Sequence, residues 1–91
     1  MAMAKQERLL INDLAKWYKK YPEGGAMHVV VGDCNIENRH IEWNKANLKG
    51  YCKDDEEMQL CTRILDGLLM FKERKRHSIL SQATKKARGA E

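Results

Sequence analysis

A cluster of residue types that can do chemistry occupies residues 24–40. It holds two of the three histidines, His28 and His40, together with Asp33 and Cys34. Imidazole, carboxylate and thiolate groups are all metal ligands, and a thiol near a histidine is a pair that nucleophilic catalysis uses. The segment also holds three glycines, which allow the backbone to approach a bound group closely.

The spacing of these residues argues against a metal site. They follow the pattern H-x4-D-C-x5-H, which matches no compact zinc signature such as H-E-x-x-H or paired C-x-x-C. Because the valine run after His28 predicts a β-strand, His28 and Asp33 would lie about 15 Å apart at ~3.3 Å per residue. One ion cannot bridge that distance, so we predict no metal site and no cofactor.

Nucleophilic catalysis lacks its third component. Cys34 would lie near the start of a helix, where the dipole favours a thiolate, but no group that could orient His40 can be identified. Cys61 falls on an apolar helix stripe. We therefore predict no catalytic residue and a protein that is not an enzyme. The three cysteines include no C-x-x-C pair, which predicts free thiols in a reducing compartment.

The turn from the predicted strand to the next helix suits the binding of an anion better. Free backbone N–H groups at residues 32–36 and the helix dipole would attract negative charge there, and nearby side chains offer donors to a phosphate or ribose. The alternative is that Asp33 and Asn35 only cap the helix while His40 packs in the core. The candidate ligand-binding residues are His28, Gly32, Asp33, Asn35, Arg39 and His40.

Positive charge is concentrated in the last fifth of the chain. Residues 72–91 carry seven Lys or Arg and two acids, a net charge of +5, whereas residues 1–71 carry −1. Such a cluster can bind phosphates without sequence preference, and the alternative is a solvated tail. The candidate nucleic-acid-binding residues are Lys72, Arg74, Lys75, Arg76, Lys85, Lys86 and Arg88.

Apolar residues at helical spacing predict three helices, over residues 5–21, 36–49 and 54–71. Pro22 ends the first, because it has no N–H to donate and disfavours helical geometry in the residue before it. Asn35 is a suitable N-cap for the second. The third opens with four consecutive acids, which complement the positive end of its dipole.

The predicted fold is α+β and mostly helical, with three to four helices around one short β-strand. Residues 28–31 supply the strand, and since no second strand of comparable quality is found, it would pair with a second copy or stay merely extended. Ile79 and Leu80 predict a short fourth helix or a bent continuation of the third. We predict one small domain over residues 1–82 and a basic, disordered tail over residues 83–91.

The size of the chain bears on its partners and location. Its 91 residues, 43% hydrophobic, can build only a modest core, which favours a homodimer. The longest apolar run is far short of the ~18 residues that span a bilayer. The N-terminus lacks the basic start and apolar core of a signal peptide. We therefore expect a cytoplasmic protein with no membrane partner.

Two stretches carry a resemblance to known proteins. The segment GGAMHVVVGDCNIE at residues 24–37, followed by HIEW at residues 40–43, resembles a group of small phage and prophage proteins of uncharacterised function. The likeness extends over residues 24–80. This chain departs from their pattern at residues 32–34, where paired acids followed by glycine are expected, so that one carboxylate is missing. The resemblance implies a phage-encoded accessory protein that works in a bacterial host by stoichiometric capture.

Three hypotheses of function follow from these patterns. The first is a non-catalytic counter-defence protein that sequesters an anionic, nucleotide-like small molecule at the strand-to-helix turn. The second is an inhibitor that binds a host protein or a protein–nucleic-acid machine through its surface. The third is a basic DNA- or RNA-binding accessory protein that uses its C-terminal cations.

Overall fold

The computed structural model describes residues 5–89, and within them the chain forms five helices and no strand. Four of the five are α-helices, one is a single π-helical turn, and two short 3-10 turns complete the path. In chain order these elements are α1 (Lys5–Lys20), a 3-10 turn (Gly25–Met27), the π turn (His28–Gly32), α2 (Asn38–Ala46), a second 3-10 turn (Leu48–Gly50), α3 (Asp55–Leu69) and α4 (Glu73–Ala87).

The predicted β-strand is wrong, because the valine run forms the π turn. The backbone N–H of Asp33 donates to the carbonyl of His28 at 2.9 Å, which is the i to i+5 bond of a π-helix. Val30 and Val31 are neighbours in the sequence and both are buried, whereas successive side chains of a strand point to opposite faces. Because there is no strand, the pairing of strands between two copies is not available as the basis of a dimer. The homodimer itself stays a prediction.

Two side chains of α1 hold the π turn and the connection before it. The indole Nε1–H of Trp17 donates to the carbonyl of Gly24 at 2.8 Å, and the hydroxyl of Tyr18 donates to the carbonyl of Val31 at 3.0 Å. Gly24 has φ of 102°, a left-handed value that favours glycine. The tight connection after α1 therefore depends on this glycine and on the aromatic face of α1.

Helix α1 packs between α3 and α4. It runs antiparallel to α3, since Asp13 pairs with Arg63 at 3.2 Å and Lys20 pairs with Glu57 at 2.9 Å. The prediction of α1 is confirmed, including its end before Pro22. The apolar residues at helical spacing that predict this helix are Leu10, Leu14, Trp17, Tyr18 and Tyr21, and all are buried except half-buried Tyr21.

Helix α4 is longer than predicted. It extends over Glu73–Ala87, and Ala83 is fully buried, so the predicted domain boundary at residue 82 lies inside the helix. The part of the predicted tail that the structure describes is helical to Ala87, while residues 90–91 lie outside the described residues. Helix α4 runs beside α1 in the same direction, with Lys75 near Glu7 and Thr84 near Tyr18.

Helix α2 begins later than predicted. Its N-cap is Glu37, so the prediction that Asn35 caps this helix is wrong. The N-cap of α3 is Asp54, whose Oδ1 accepts the N–H of Glu57 at 2.9 Å, as the acidic start of that helix indicates. No helix within residues 5–89 is both long and apolar enough to cross a membrane.

Candidate functional site

The π turn brings His28 and Asp33 into contact. His28 Nε2 lies 3.2 Å from Asp33 Oδ1, so the separation of about 15 Å that a strand would impose is wrong. The reason is geometric, because a π-helical turn returns the chain to the same side after five residues. The two residues form one exposed pair.

Both ring nitrogens of His28 face acceptors. Nδ1 lies 2.7 Å from the carbonyl oxygen of Glu23, and Nε2 faces Asp33. Since a neutral imidazole can donate only one hydrogen bond, this arrangement favours the imidazolium. The Glu23 carbonyl, and after it the Asp33 carboxylate, raises the pKa of His28 above its ordinary value. His28 therefore joins the π turn to the preceding connection.

Gly32 serves close packing within the turn. A Cβ atom at this position would lie 2.5 Å from the Glu23 carbonyl oxygen and 2.5 Å from His28 Nδ1. Both distances are far inside van der Waals contact. The absence of a side chain at Gly32 thus permits the contact between His28 and Glu23.

Arg39 and His40 gather around a different carboxylate. Glu37 Oε1 accepts from Arg39 Nε at 3.0 Å and lies 3.6 Å from His40 Nδ1. His40 Nδ1 is buried and has no hydrogen-bond partner within the described residues, while Asn35 is half-buried. Five of the six predicted ligand residues therefore divide between two groups, His28, Gly32 and Asp33 in one and Arg39 and His40 around Glu37 in the other. No side-chain hydrogen bond joins the sixth, Asn35, to either group within residues 5–89.

In both groups, a carboxylate lies beside the side chains that could donate hydrogen bonds to an anion. Asp33 faces His28, and Glu37 lies between Arg39 and His40. An anionic ligand would have to displace these carboxylates or bind beside their negative charge. Capture of a nucleotide-like molecule here stays a prediction from the sequence.

The largest concentration of positive charge lies on two other helices, α1 and α4. The segments 5–20 and 72–88, which form α1 and α4 with its flanks, carry twelve Lys or Arg and three acids, a net charge of +9. Residues 21–71 carry five Lys or Arg and nine acids, a net charge of −4. The fold therefore adds the cations of α1 to the C-terminal cluster. We refer to segments 5–20 and 72–88 together as the α1–α4 pair.

Eleven of these twelve cations are exposed. Two of the eleven are in ion pairs, Lys75 with Glu7 at 2.9 Å and Lys20 with Glu57 of α3 at 2.9 Å, whereas Asp13 of α1 pairs with Arg63 of α3. The exposed cations are Lys5, Arg8, Lys16, Lys19, Lys20, Lys72, Arg74, Lys75, Lys85, Lys86 and Arg88.

Arg76 is the exception, and its prediction as a nucleic-acid-binding residue is wrong. It is 2% exposed. Its Nε donates to the carbonyl of Leu68 at 2.7 Å, and its Nη1 to that of Ile36 at 2.6 Å. Its Nη2 donates to Asn38 Oδ1 at 2.6 Å. Burial lowers the pKa of Arg76 from its ordinary value. Arg76 therefore fastens the end of α3 to the start of α2.

The predicted cations differ in whether their side chains are already bonded to other residues of the protein. Lys75 pairs with Glu7, and Lys86 donates to Asn12 Oδ1 on α1, so both help to hold α4 against α1. The other four predicted cations are exposed and make no ion pair within residues 5–89. These four are Lys72, Arg74, Lys85 and Arg88.

The α1 cations were missed at the sequence level. Lys5, Arg8, Lys16 and Lys19 recur at helical spacing on the exposed side of α1. A charge count along that helix face could have found them. The net charge of residues 1–71 does not show these cations, because the acids in the middle of the chain offset their positive charge.

The ends of α1 and α4 enclose a shallow cavity between two of the exposed cations. The cavity has a volume of about 250 Å³, and Lys19 and Arg88 line it together with Tyr18 and Thr84. Both helices end here, so the cations of their last turns also offset the partial negative charge of the helix ends. Pro22 and Ala87 complete the lining, so the cavity is partly apolar and receives one cation from each of the two helix ends.

Glu57 was also missed. It is buried and accepts from the Tyr21 hydroxyl, from the backbone N–H of Lys53 at 3.0 Å and from Lys20 Nζ at 2.9 Å. The Tyr21 hydrogen bond, and after it the Lys53 N–H, lowers the pKa of Glu57 to about 2. These contacts join the end of α1 to the start of α3, so we interpret Glu57 as structural.

Comparison with known proteins assigns no family to the chain. No family model matches it, and no curated protein or solved structure matches it at a significant level. What the protein does must be inferred from its own residues.

Proposed function

We propose that this protein is a non-catalytic nucleic-acid-binding protein that holds the phosphate backbone on the α1–α4 pair. The observation that supports the proposal is the net charge of +9 on two adjacent helices, with eleven exposed cations. Closely spaced Lys and Arg side chains bind phosphates and release counterions from nucleic acid. The resemblance to small phage proteins supports a bacterial host cell as its setting.

The proposed interface gives affinity without sequence preference. Phosphate contacts position a protein on nucleic acid, whereas base contacts specify sequence. The described residues of the α1–α4 pair include no exposed Phe, Tyr or Trp, so a stacking platform of these large rings for single-stranded bases is missing there. We therefore expect duplexes of different sequence to bind alike.

Fluorescence anisotropy with labelled duplexes, measured from low to moderate salt, tests the proposal. If about five phosphates are contacted, the logarithm of the association constant should fall with the logarithm of salt concentration with a slope near −4 to −5. The double variant Lys19→Gln/Arg88→Gln should bind more weakly and make this slope shallower by about two.

The matched control is Lys49→Gln/Lys53→Gln, which removes the same charge from two exposed residues outside the α1–α4 pair that make no ion pair within residues 5–89. Its affinity and salt slope should stay close to those of the wild type. Equal weakening of both double variants would show that net charge alone matters and would overturn the interface. So would binding that does not respond to salt.

A protein partner is the second candidate, and a specific observation favours it. Trp43 and Tyr51 are 52% and 56% exposed, and their ring centroids lie 6.4 Å apart. Exposed Trp and Tyr side chains are often the anchors of protein interfaces. A stoichiometric partner that survives nuclease treatment, and that Trp43→Ala loses while Lys19→Gln/Arg88→Gln keeps, would support this candidate over nucleic acid.

A further inference from the structure

We propose that Cys52 and Cys61 are a redox-active pair that a peroxide converts into a reversible intramolecular disulfide in the folded protein. This modification site is independent of the proposed nucleic-acid interface. Its evidence is the contact between a cysteine of the α2–α3 connection and a cysteine of α3.

The two sulfur atoms are already in contact. Their Sγ atoms lie 3.7 Å apart, and a disulfide requires about 2.05 Å, so the sulfurs must approach by less than ~2 Å. Cys61 is buried in α3, about two turns from its start. Cys52 is half-buried and lies outside regular helix, just before the N-cap of α3.

Two hydrogen bonds hold Cys52 opposite Cys61. The backbone N–H of Cys52 donates to the carbonyl of Leu48 at 3.0 Å, and the N–H of the next residue, Lys53, donates to Glu57 Oε1 at 3.0 Å. The connection between α2 and α3 is therefore fixed on both sides of the thiol. This raises the effective concentration of one thiol at the other.

The pair differs from the third cysteine. Cys34 is exposed, and no sulfur–sulfur contact to it is found within residues 5–89. Within the pair, Cys52 offers access to an oxidant and Cys61 does not, because Cys61 is 0% exposed. The expected order of events is therefore oxidation of Cys52 followed by resolution by Cys61.

The chemistry balances with hydrogen peroxide as the oxidant. The Cys52 thiolate attacks one peroxide oxygen, the O–O bond breaks, and a sulfenic acid and one water form after proton transfer. Cys61 Sγ then attacks the Cys52 sulfur, the S–O bond breaks, and a second water leaves. The two thiols lose two electrons and two protons, and the peroxide is reduced to two waters. A dithiol reductant reverses the step by exchange.

Burial affects the rate of this reaction. Desolvation raises the pKa of Cys52 and raises that of Cys61 well above its ordinary value. Because the thiolate is the attacking species, oxidation should accelerate as pH rises above neutrality.

A disulfide between Cys52 and Cys61 would link the α2–α3 connection covalently to the second turn of α3.

Mass spectrometry of the Cys34→Ser variant tests the proposal. Treatment with a small excess of hydrogen peroxide should lower the intact mass by two hydrogens and protect both thiols from alkylation in denaturant. Dithiothreitol should restore both. Trypsin cleaves after Lys49, Lys53 and Arg63, so a disulfide should link peptide 50–53 to peptide 54–63.

Two controls separate the folded geometry from general thiol chemistry. In Cys34→Ser/Cys52→Ser, Cys61 should stay reduced because it is buried. In the Cys34→Ser protein, the fraction of oxidised Cys52 that ends in the linked peptide should be at least several-fold larger in the folded state than in urea, because the contact with Cys61 favours the second step. Disulfide-linked dimers, higher oxidation of Cys52 with Cys61 left free, or an equal fraction of linked peptide in the two states would overturn the proposal.

Discussion

Arg76 shows how one buried cation can organise several elements. Its guanidinium is buried with neutral oxygen acceptors from α3, from the segment before α2 and from α2 itself. One acceptor, the Leu68 carbonyl, lies in the last turn of α3, where the helix dipole favours positive charge. The planar fork of five N–H donors suits such divergent acceptors, and a lysine ammonium does not.

Arg76→Lys should destabilise the protein by about 2–4 kcal/mol, because the ammonium cannot reach all three acceptors and leaves buried carbonyls unpaired. Urea denaturation measures the free energy of unfolding. Arg74→Lys, an exposed substitution of the same type in the same helix turn, should change it by no more than ~0.5 kcal/mol. Equal effects of the two substitutions would contradict the role assigned to Arg76.

Glu57 predicts how stability depends on pH. Its pKa falls from 4.5 to about 2 on folding, so the folded state favours the ionised form. The stabilisation is fully present above the unfolded pKa and is lost as pH falls from about 4.5 towards 2. Urea denaturation of the wild type at several pH values should show this loss.

The variant Glu57→Gln should be less stable than the wild type near neutral pH, and the difference should shrink as pH falls through this window. Glu56→Gln is the matched control, because it changes an exposed acid in the same helix turn and should leave the shape of the profile unchanged. If Glu57→Gln keeps the full acid dependence, another group is responsible.

At the scale of elements, the helices with strong local signals were predictable. Helix α1 combines an apolar face with a proline stop, and α3 combines an apolar face with an acidic N-cap, so local and global preferences agree. The fourth helix was predicted only in part. One of its buried positions is the charged Arg76 and another is the small Ala83, so its buried face does not read as an apolar stripe.

The π turn was not predictable from the same reasoning. Three consecutive valines favour a strand locally, but burial of both Val30 and Val31 and the hydrogen bond from Tyr18 to the Val31 carbonyl accompany a helical turn instead. The error carried over to the candidate site, since it separated His28 from Asp33. The sequence shows that these polar residues share one short segment, but only the backbone path decides which of them meet.

Gly32→Ala tests the packing of the π turn. An added Cβ would clash with a backbone carbonyl and with His28, so we expect destabilisation by about 1–3 kcal/mol. Gly50→Ala is the control, because a Cβ there meets nothing within 4 Å, and it should change stability by no more than ~0.5 kcal/mol. Thermal and urea denaturation of both variants measure the difference. A Gly32→Ala protein as stable as Gly50→Ala would show that the turn relaxes without cost.

At the scale of the whole molecule, charge is distributed unequally between the α1–α4 pair and the elements between them in the sequence. The α1–α4 pair carries +9 and residues 21–71 carry −4, so the molecule has a large charge asymmetry at a net charge of only +4. Such an asymmetry orients a protein in the field of a polyanion and accelerates association at low salt. The net charge of +4 does not show this asymmetry, because nine of the acids lie within residues 21–71, outside the α1–α4 pair.

The end of α4 offers a test of where the folded domain stops. A chain that ends at residue 82 loses the buried Ala83 and half-buried Ala87, together with the last turns that cover Tyr18. We expect its free energy of unfolding to fall by about 2 kcal/mol or more. A chain that ends at residue 89 keeps every described contact and should match the full-length protein in urea denaturation.

The truncation also shows why point substitutions are needed to test nucleic-acid binding. Ending the chain at residue 82 removes Lys85, Lys86 and Arg88 together with part of the core, so lost binding would follow from lost charge or from unfolding. Lys19→Gln/Arg88→Gln changes two exposed residues and separates these causes. If the chain ending at residue 82 is as stable as the full-length protein, residues 83–89 do not contribute to the core, and the boundary predicted from the sequence is correct.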